Sequence, residues 1–279
     1  MNNSKQIPKI IHYCWFGGKE KPELVEKCIA SWKKFLPDYE LREWNNDDLK
    51  QCTNIYVQQA LEHKKWAFIS DYFRLYALYN FGGIYLDADN EILKSFNIFL
   101  DLEFFTGYEY SSGGILPFTA VVGAQKNNKI IKDLLYEYNN ISFINNDGSL
   151  NTETNTSRVS KYFEKIYGLK FPYDGKRKFF FEDKAILFPF EYFCPKYLGD
   201  SKYKITKNTY AIHHFASSWV DDVRNFWNLK LPFGVQFKFY ICKEETKKTN
   251  ILPKNEKEII KLKKNKRRYI VITFVKNNQ

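Results

Sequence analysis

The tract Gly82-Gly83-Ile84-Tyr85-Leu86-Asp87-Ala88-Asp89 carries an apolar run straight into two carboxylates one residue apart. On an extended strand such a pair faces one side; where the strand breaks into a turn, the pair converges on a single ion. Hard divalent cations such as Mn²⁺ or Mg²⁺ take oxygen ligands, and a nucleotide diphosphate supplies more of them. A cation held between the two acts as a Lewis acid on the departing diphosphate. Asp-x-Asp by itself more often marks a solvated acidic turn, so the surrounding residues decide.

Upstream, Asp71 and Arg74 are three apart in a helical pattern and share one face. Arg74 could reach a phosphate or sugar oxygen, and Asp71 could hold Arg74 or accept sugar hydroxyls. The plainer reading is an i,i+3 ion pair worth roughly a few tenths of a kcal/mol. Far downstream stands His213-His214-Phe215-Ala216-Ser217-Ser218-Trp219. An imidazole is a reasonable Mn²⁺ ligand beside carboxylates, a serine adds an oxygen, and a tryptophan N–H can donate to a diphosphate. The alternative is a histidine pair packed in a core or turn. Glu182, Asp183 and the tract from Asn151 to Ser157 are weaker candidates for stabilising an oxocarbenium-like transition state, because nothing separates them from ordinary loop residues. The chain has no Gly-rich P-loop, no GxSxG elbow and no HExxH.

These residues need elements to hold them. Ile7 to Phe16 reads as a buried first strand, followed by a helix opened by Pro22 and stopped by Pro37. Tyr39 to Trp44 reads as a second strand. Ile55 to Phe81 reads as one long amphipathic helix or two in succession, ended by Gly82-Gly83. Ile84 to Leu86 is a short strand running into Asp87. Further strands are expected over Leu102–Gly107, Ile115–Val122 and Tyr210–Ile212, with helices over Asn128–Tyr138 and Ser157–Tyr167. Strands alternating with helices predict an α/β domain with a mainly parallel sheet flanked by helices. Ligands in such sheets bind beyond the carboxyl ends of the strands, where Asp87 stands.

The run from Ala67 to Tyr79 followed by Gly82 to Asp89 resembles the DxD sugar-binding region of family 32 glycosyltransferases. That group includes bacterial capsular polysaccharide transferases and fungal α-1,6-mannosyltransferases, and its pattern recurs in the large clostridial toxin glucosyltransferases. The opening Ile7 to Gly18 resembles their first strand, and the likeness continues piecewise to Trp219. The resemblance implies a GT-A nucleotide-diphospho-sugar transferase fold, a nucleotide-sugar donor, Mn²⁺ dependence and retention of anomeric configuration. It implies that Trp15 stacks on the nucleotide base, and that Ser70, Asp71 and Arg74 contact donor sugar and phosphate. It makes Asp89 the direct metal ligand, with Asp87 shared between the metal and hydroxyls of ribose or sugar. Counting back from Trp219 puts Ser217 and His214 on the remaining ligand positions; the toxin relatives carry an acid at that place, so His213 competes with His214. The Thr-Gly-Pro-like element of the relatives reads Thr154-Asn155-Thr156 here, which leaves the acceptor side open.

With 279 residues and 44% hydrophobic content, the chain has the means to bury a large core. Five scattered cysteines suggest neither a zinc site nor a disulfide framework, and fit a reduced, cytoplasmic setting. The polar start lacks the apolar segment of a signal peptide, and no apolar run reaches the ~18 residues needed to span a bilayer. Net charge is +11, much of it between Lys243 and Arg268. We therefore expect a catalytic domain over 1–240 and a basic, partly helical appendage over 241–279. Lysines interleaved with apolar residues in 243–268 fit contact with an anionic membrane surface, at the inner face of the plasma membrane, better than nucleic acid, for which no stacking platform or fold motif is present. The expected reaction moves a hexose from a nucleotide diphosphate sugar, UDP by preference, to a glycan or lipid-linked glycan in surface or capsular polysaccharide synthesis. The alternatives are a toxin-like transferase acting on a host protein and a catalytically silent nucleotide-sugar binder.

Overall fold

The structure, a computed structural model, describes residues 6–111, 114–117, 120–170, 173–180, 184–196, 202–216, 223–230, 235–243, 257–265 and 268–276. The chain divides into two compact units, Met1–Ala216 and Ser217–Gln279. The first begins with β1 (Ile10–Cys14), α1 (Glu23–Phe35), β2 (Glu40–Trp44) and α2 (Asn46–Leu49). The long helical pattern that follows is two helices, α3 (Ile55–Glu62) and α4 (Trp66–Phe81). The chain breaks between them at Lys64, whose φ of 53° no helix accommodates. Then come β3 (Gly83–Leu86), β4 (Asn90–Ile92), β5 (Phe104–Ser111), β6 (Gly114–Pro117) and β7 (Val121–Ala124). The unit continues with α5 (Lys129–Glu137), α6 (Asn155–Tyr167), β8 (Lys178–Phe180), β9 (Ala185–Phe188) and β10 (Ala211–His213).

The main sheet runs β2-β1-β3-β7-β5-β9-β8, with β6 paired to β5. β1, β2, β3, β5 and β9 point one way, whereas β6, β7 and β8 run against them. The α/β architecture is as expected, with one physical refinement. The stretch read as a single strand, Ile115–Val122, is two: β6 folds back on β5 as a hairpin, and β7 inserts antiparallel between β3 and β5. Alternate residues of β3 feed different cores. Tyr85 joins Tyr56, Ile69, Phe73 and Leu78 beneath α3 and α4. Ile84 and Leu86 join Trp32 of α1 and the ring cluster of Phe96, Phe99 and Phe105 on the other face.

The entry into β3 requires glycine. Gly83 sits at φ +108°, and a Cβ there would lie 2.6 Å from the Ile10 carbonyl oxygen. The neighbouring carbonyl of Gly82 is held by His12 Nε2 at 2.8 Å. Trp44 Nε1–H donates to the other nitrogen of that ring at 3.3 Å. Burial pushes His12 down to about 4, so the neutral ring that accepts from Trp44 and donates to Gly82 is the stable form.

The second unit is a four-stranded antiparallel sheet in the order β11-β12-β14-β13, comprising β11 (Val223–Lys230), β12 (Val235–Lys243), β13 (Lys257–Asn265) and β14 (Arg268–Lys276). Two expectations are corrected here. The appendage begins near Ser217 rather than after Tyr240, because Tyr240 lies inside β12, where it pairs with Val271 of β14. Its described residues are strand rather than helix: β14 pairs along its length with β12 on one side and with β13 on the other. The alternation Ile260-Lys261-Leu262-Lys263 carries the period of a strand. Among the described residues, no helix is long and apolar enough to cross a membrane.

Candidate active site

β3 ends where the Asp-x-Asp tract begins, and the strand breaks into a turn rather than continuing. Asn90 N–H donates to the Asp87 carbonyl at 2.9 Å, closing the turn across Ala88 and Asp89. Asn90 is fully buried, and its side-chain amide donates to the Ala120 carbonyl at 2.9 Å. Trp32 Nε1–H ties the Asn90 carbonyl to α1 at 2.7 Å. The turn is thus anchored from three sides, and both carboxylates converge.

On the α4 side, Arg74 is buried between two acids. Its Nη2 donates to Asp71 Oδ1 at 2.9 Å, and its Nη1 lies 3.3 Å from Asp87 Oδ1. Its guanidinium carbon stands 4.6 Å from the centre of the Tyr85 ring, and the Tyr85 hydroxyl donates to Asp87 Oδ1 at 3.0 Å. Asp71 takes a second donor, the Asn155 N–H at the start of α6, at 3.2 Å, while the Asn155 side chain donates to the Asp71 carbonyl at 3.4 Å. Burial pushes Asp71 up to about 6 even though Arg74 and the Asn155 amide pull it down. The helical spacing predicted the Asp71–Arg74 pair. Asn155 was legible only as the centre of a tract that departs from the family pattern.

On the other side, β10 pairs antiparallel with β4 and sets His213 opposite Asn90. His213 Nε2 then lies 3.3 Å from Asp89 Oδ1, and Ala216 N–H donates to Asp89 Oδ2 at 2.7 Å. Burial disfavours the Asp89 charge, yet His213 and the Ala216 amide outweigh it and bring Asp89 down to about 2. Ligand atoms of Asp87, Asp89 and His213 all lie within 4.8 Å of one another, a donor set of carboxylates and imidazole that fits a hard or borderline divalent cation.

His214, the expected ligand, is elsewhere. Its Nε2 lies 2.9 Å from Glu91 Oε2 and its Nδ1 2.7 Å from the Tyr203 hydroxyl. His213 takes the place beside the acids because the β4–β10 register, which residue counting cannot supply, sets it there. Ser217, Trp219, Glu182 and Asp183 lie outside the described residues. Ser70 is half-buried, and its hydroxyl donates to its own helix at the Trp66 carbonyl at 3.0 Å. Trp15 follows β1 and is also half-buried, with its N–H on the Lys19 carbonyl at 2.7 Å. It adjoins Cys14, whose thiol feels both Arg74 and Asp87.

One acid escaped the sequence reading. Glu109 lies near the carboxyl end of β5, in electrostatic reach of His213, Asp87 and Arg74, and burial raises it to about 7. Only the strand order could reveal it, since nothing in Tyr108-Glu109-Tyr110 distinguishes it locally.

The profile of the capsular polysaccharide synthesis protein family matches residues 1–147, just over half of the chain. An uncharacterized glycosyltransferase of Acanthamoeba polyphaga mimivirus is 29% identical over 160 residues, covering 55% of this chain and 62% of that protein. Inositol phosphoceramide mannosyltransferase 3 of Schizosaccharomyces pombe is 32% identical over 95 residues, covering 32% of this chain and 26% of that protein. The matched part thus spans less than two thirds of either relative. Among solved structures, the PaToxG glycosyltransferase aligns with a TM-score of 0.44 and 22% identity, over 60% of this chain and 72% of that one. The family's name and the names of the two sequence relatives agree with the resemblance drawn from the Ala67–Asp89 region, and the chain belongs to the capsular polysaccharide synthesis protein family.

Proposed function

We propose that this protein is a metal-dependent, retaining glycosyltransferase that moves a hexose from a nucleotide diphosphate sugar, UDP-linked by preference, to a glycan acceptor in surface or capsular polysaccharide synthesis. The observation that carries the reading is the convergence of Asp87, Asp89 and His213 beside the buried Arg74. A divalent cation, Mn²⁺ by preference, would be held by Asp87, Asp89 and His213 and would supply Lewis-acid neutralisation of the diphosphate.

The chain's own groups do the rest. Arg74 places a permanent positive charge on the α4 side of the turn, held in aim by Asp71 and by the Tyr85 ring. Asp71 and Asp87 offer acceptors for sugar hydroxyls. Trp15, just after β1, is half-buried and offers an aromatic ring for a base. Attack on the same face of the sugar needs little from a protein nucleophile, which suits a site where no carboxylate has been singled out for that role. The family's name and the relatives' names support the sugar-transfer chemistry. The basic stretch 243–268 supports a peripheral place on an anionic membrane, at the cytoplasmic face, close to a lipid-linked acceptor.

The test is a panel of nucleotide sugars assayed for Mn²⁺-dependent release of the nucleotide. We expect release from at least one UDP-hexose, reduced on the order of 100-fold or more by Asp89→Asn. Nucleotide-sugar binding without any release would instead make the protein a silent binder. Full activity of Asp89→Asn would remove the cation from the reading.

A further inference from the structure

Two adjacent histidines meet the carboxylate turn, and the structure gives them different tasks. Each ring nitrogen of a neutral imidazole does one thing: one carries a hydrogen and donates, the other accepts. His214 has used both. Its Nε2–H donates to Glu91 at 2.9 Å, and its Nδ1 accepts the Tyr203 hydroxyl at 2.7 Å. No lone pair is left for a cation. Glu91 is also engaged by Lys27 of α1, Nζ to Oε2 at 3.1 Å. A continuous chain, Lys27–Glu91–His214–Tyr203, therefore links α1, β4, the end of β10 and the segment before it.

The ladder that carries His213 is short. β4 and β10 are three residues each, and among the described residues their sheet consists of these two strands. Two-stranded ladders of this kind are marginal by themselves. Yet the segment 213–216 must sit on Asp89 with some accuracy. His213 Nε2 stands 3.3 Å from one carboxylate oxygen, Ala216 N–H donates to the other at 2.7 Å, and His214 N–H donates to the Asp89 carbonyl at 3.1 Å. His214 is thus gripped at its ring from outside while its backbone grips Asp89 from inside.

We propose that the Lys27–Glu91–His214–Tyr203 chain is a clamp that fixes His213 and Ala216 on Asp89, which makes His214 a positioning residue rather than a cation ligand. This rests on the cation site proposed above. Outer partners of this kind set the aim of the groups that touch a metal, and their loss typically weakens metal binding.

The experiment measures Mn²⁺ affinity of the full chain without sugar, and the nitrogen modulation of bound Mn²⁺ in pulsed electron paramagnetic resonance. His213→Gln should abolish the nitrogen signal. His214→Gln and Tyr203→Phe should keep it while weakening Mn²⁺ binding by roughly 10- to 100-fold. Tyr203→Phe deletes a single oxygen and serves where His214→Gln folds poorly. Loss of the nitrogen signal in His214→Gln, with retention in His213→Gln, would make His214 the ligand and overturn the proposal. Unchanged affinity in Tyr203→Phe and His214→Gln would overturn the clamp alone. Absence of Mn²⁺ binding by the natural chain would overturn the cation site and the clamp together.

Discussion

Asp71 on α4 and Asp89 within the turn after β3 each lie beside a cation, and their charges are stabilised to opposite extents. Asp71 is pushed up to about 6, Asp89 down to about 2. Burial opposes ionisation in both. At Asp71 the favourable contacts are Arg74, one backbone amide and the Arg158 charge, and the nearby Asp87 charge works against them. At Asp89, His213 supplies both charge and a hydrogen bond, and the Ala216 amide adds another. A buried carboxylate is therefore not defined by having a cation next to it. The neighbouring like charge and the number of donors decide the balance. On the α4 side two acids share one buried arginine, whereas on the β10 side one acid has an imidazole and a backbone amide to itself.

The comparison breaks most readily at Arg74. Arg74→Ala leaves Asp71 and Asp87 facing each other without their buried cation, and should destabilise the fold by about 3–5 kcal/mol in urea unfolding as well as abolish nucleotide release. A loss below about 1 kcal/mol would show that water already relieves the cluster.

His12 supports the α4 side from behind by holding the Gly82 carbonyl. Its folded value is depressed from 6.5 to about 4, so its contribution is present above pH 6.5 and is lost as pH falls towards 4. We expect about 3 kcal/mol of stability to disappear over that window, and His12→Gln to flatten it.

The two acids should then show opposite pH signatures in chelator-treated protein. Asp89, depressed in the fold, stabilises above pH 3.8 and loses that stabilisation as pH falls to about 2. Asp71, raised in the fold, favours folding below pH 3.8, an advantage lost as pH rises through about 6. Each effect is of order 2–3 kcal/mol, and Asp89→Asn and Asp71→Asn should each delete only its own limb of the stability curve. Identical curves for the two variants would erase the distinction.

The smallest expected effect is at Asn155. Asn155→Ala removes the side-chain bond to the Asp71 carbonyl but keeps the backbone N–H on its carboxylate, so about 1 kcal/mol should be lost in thermal unfolding, with activity reduced but not abolished. A loss as large as that of Arg74→Ala would move Asn155 from support to the centre of the cluster.

Much of the α4 side was legible because it is local. Asp71 and Arg74 lie one helical turn apart, and Gly82-Gly83 followed by an apolar run announces a turn into a buried strand. The β10 side was legible only as a composition. The tract from His213 to Trp219 contains the expected residue types, yet adjacent residues near a strand end point in different directions, and one step of register decides which histidine ring faces Asp89 and which faces Glu91. Glu109 and Glu91 looked like any other acids, since their value comes from neighbours distant along the chain. The strands of the second unit were obscured by a lysine-rich composition that also suits a solvated helix.

The amino-acid sequence by itself determined the α/β alternation, the DxD pair at a strand's carboxyl end and the Asp71–Arg74 pair on one helix face, because covalent spacing within one helix or strand leaves few choices. Tertiary structure alone decided that the His213 ring rather than the His214 ring meets the Asp89 carboxylate, that the Asn155 N–H donates to Asp71, and that β7 runs antiparallel between β3 and β5. Those outcomes depend on which segments bury each other's surfaces and complete each other's hydrogen bonds, and no local spacing encodes that.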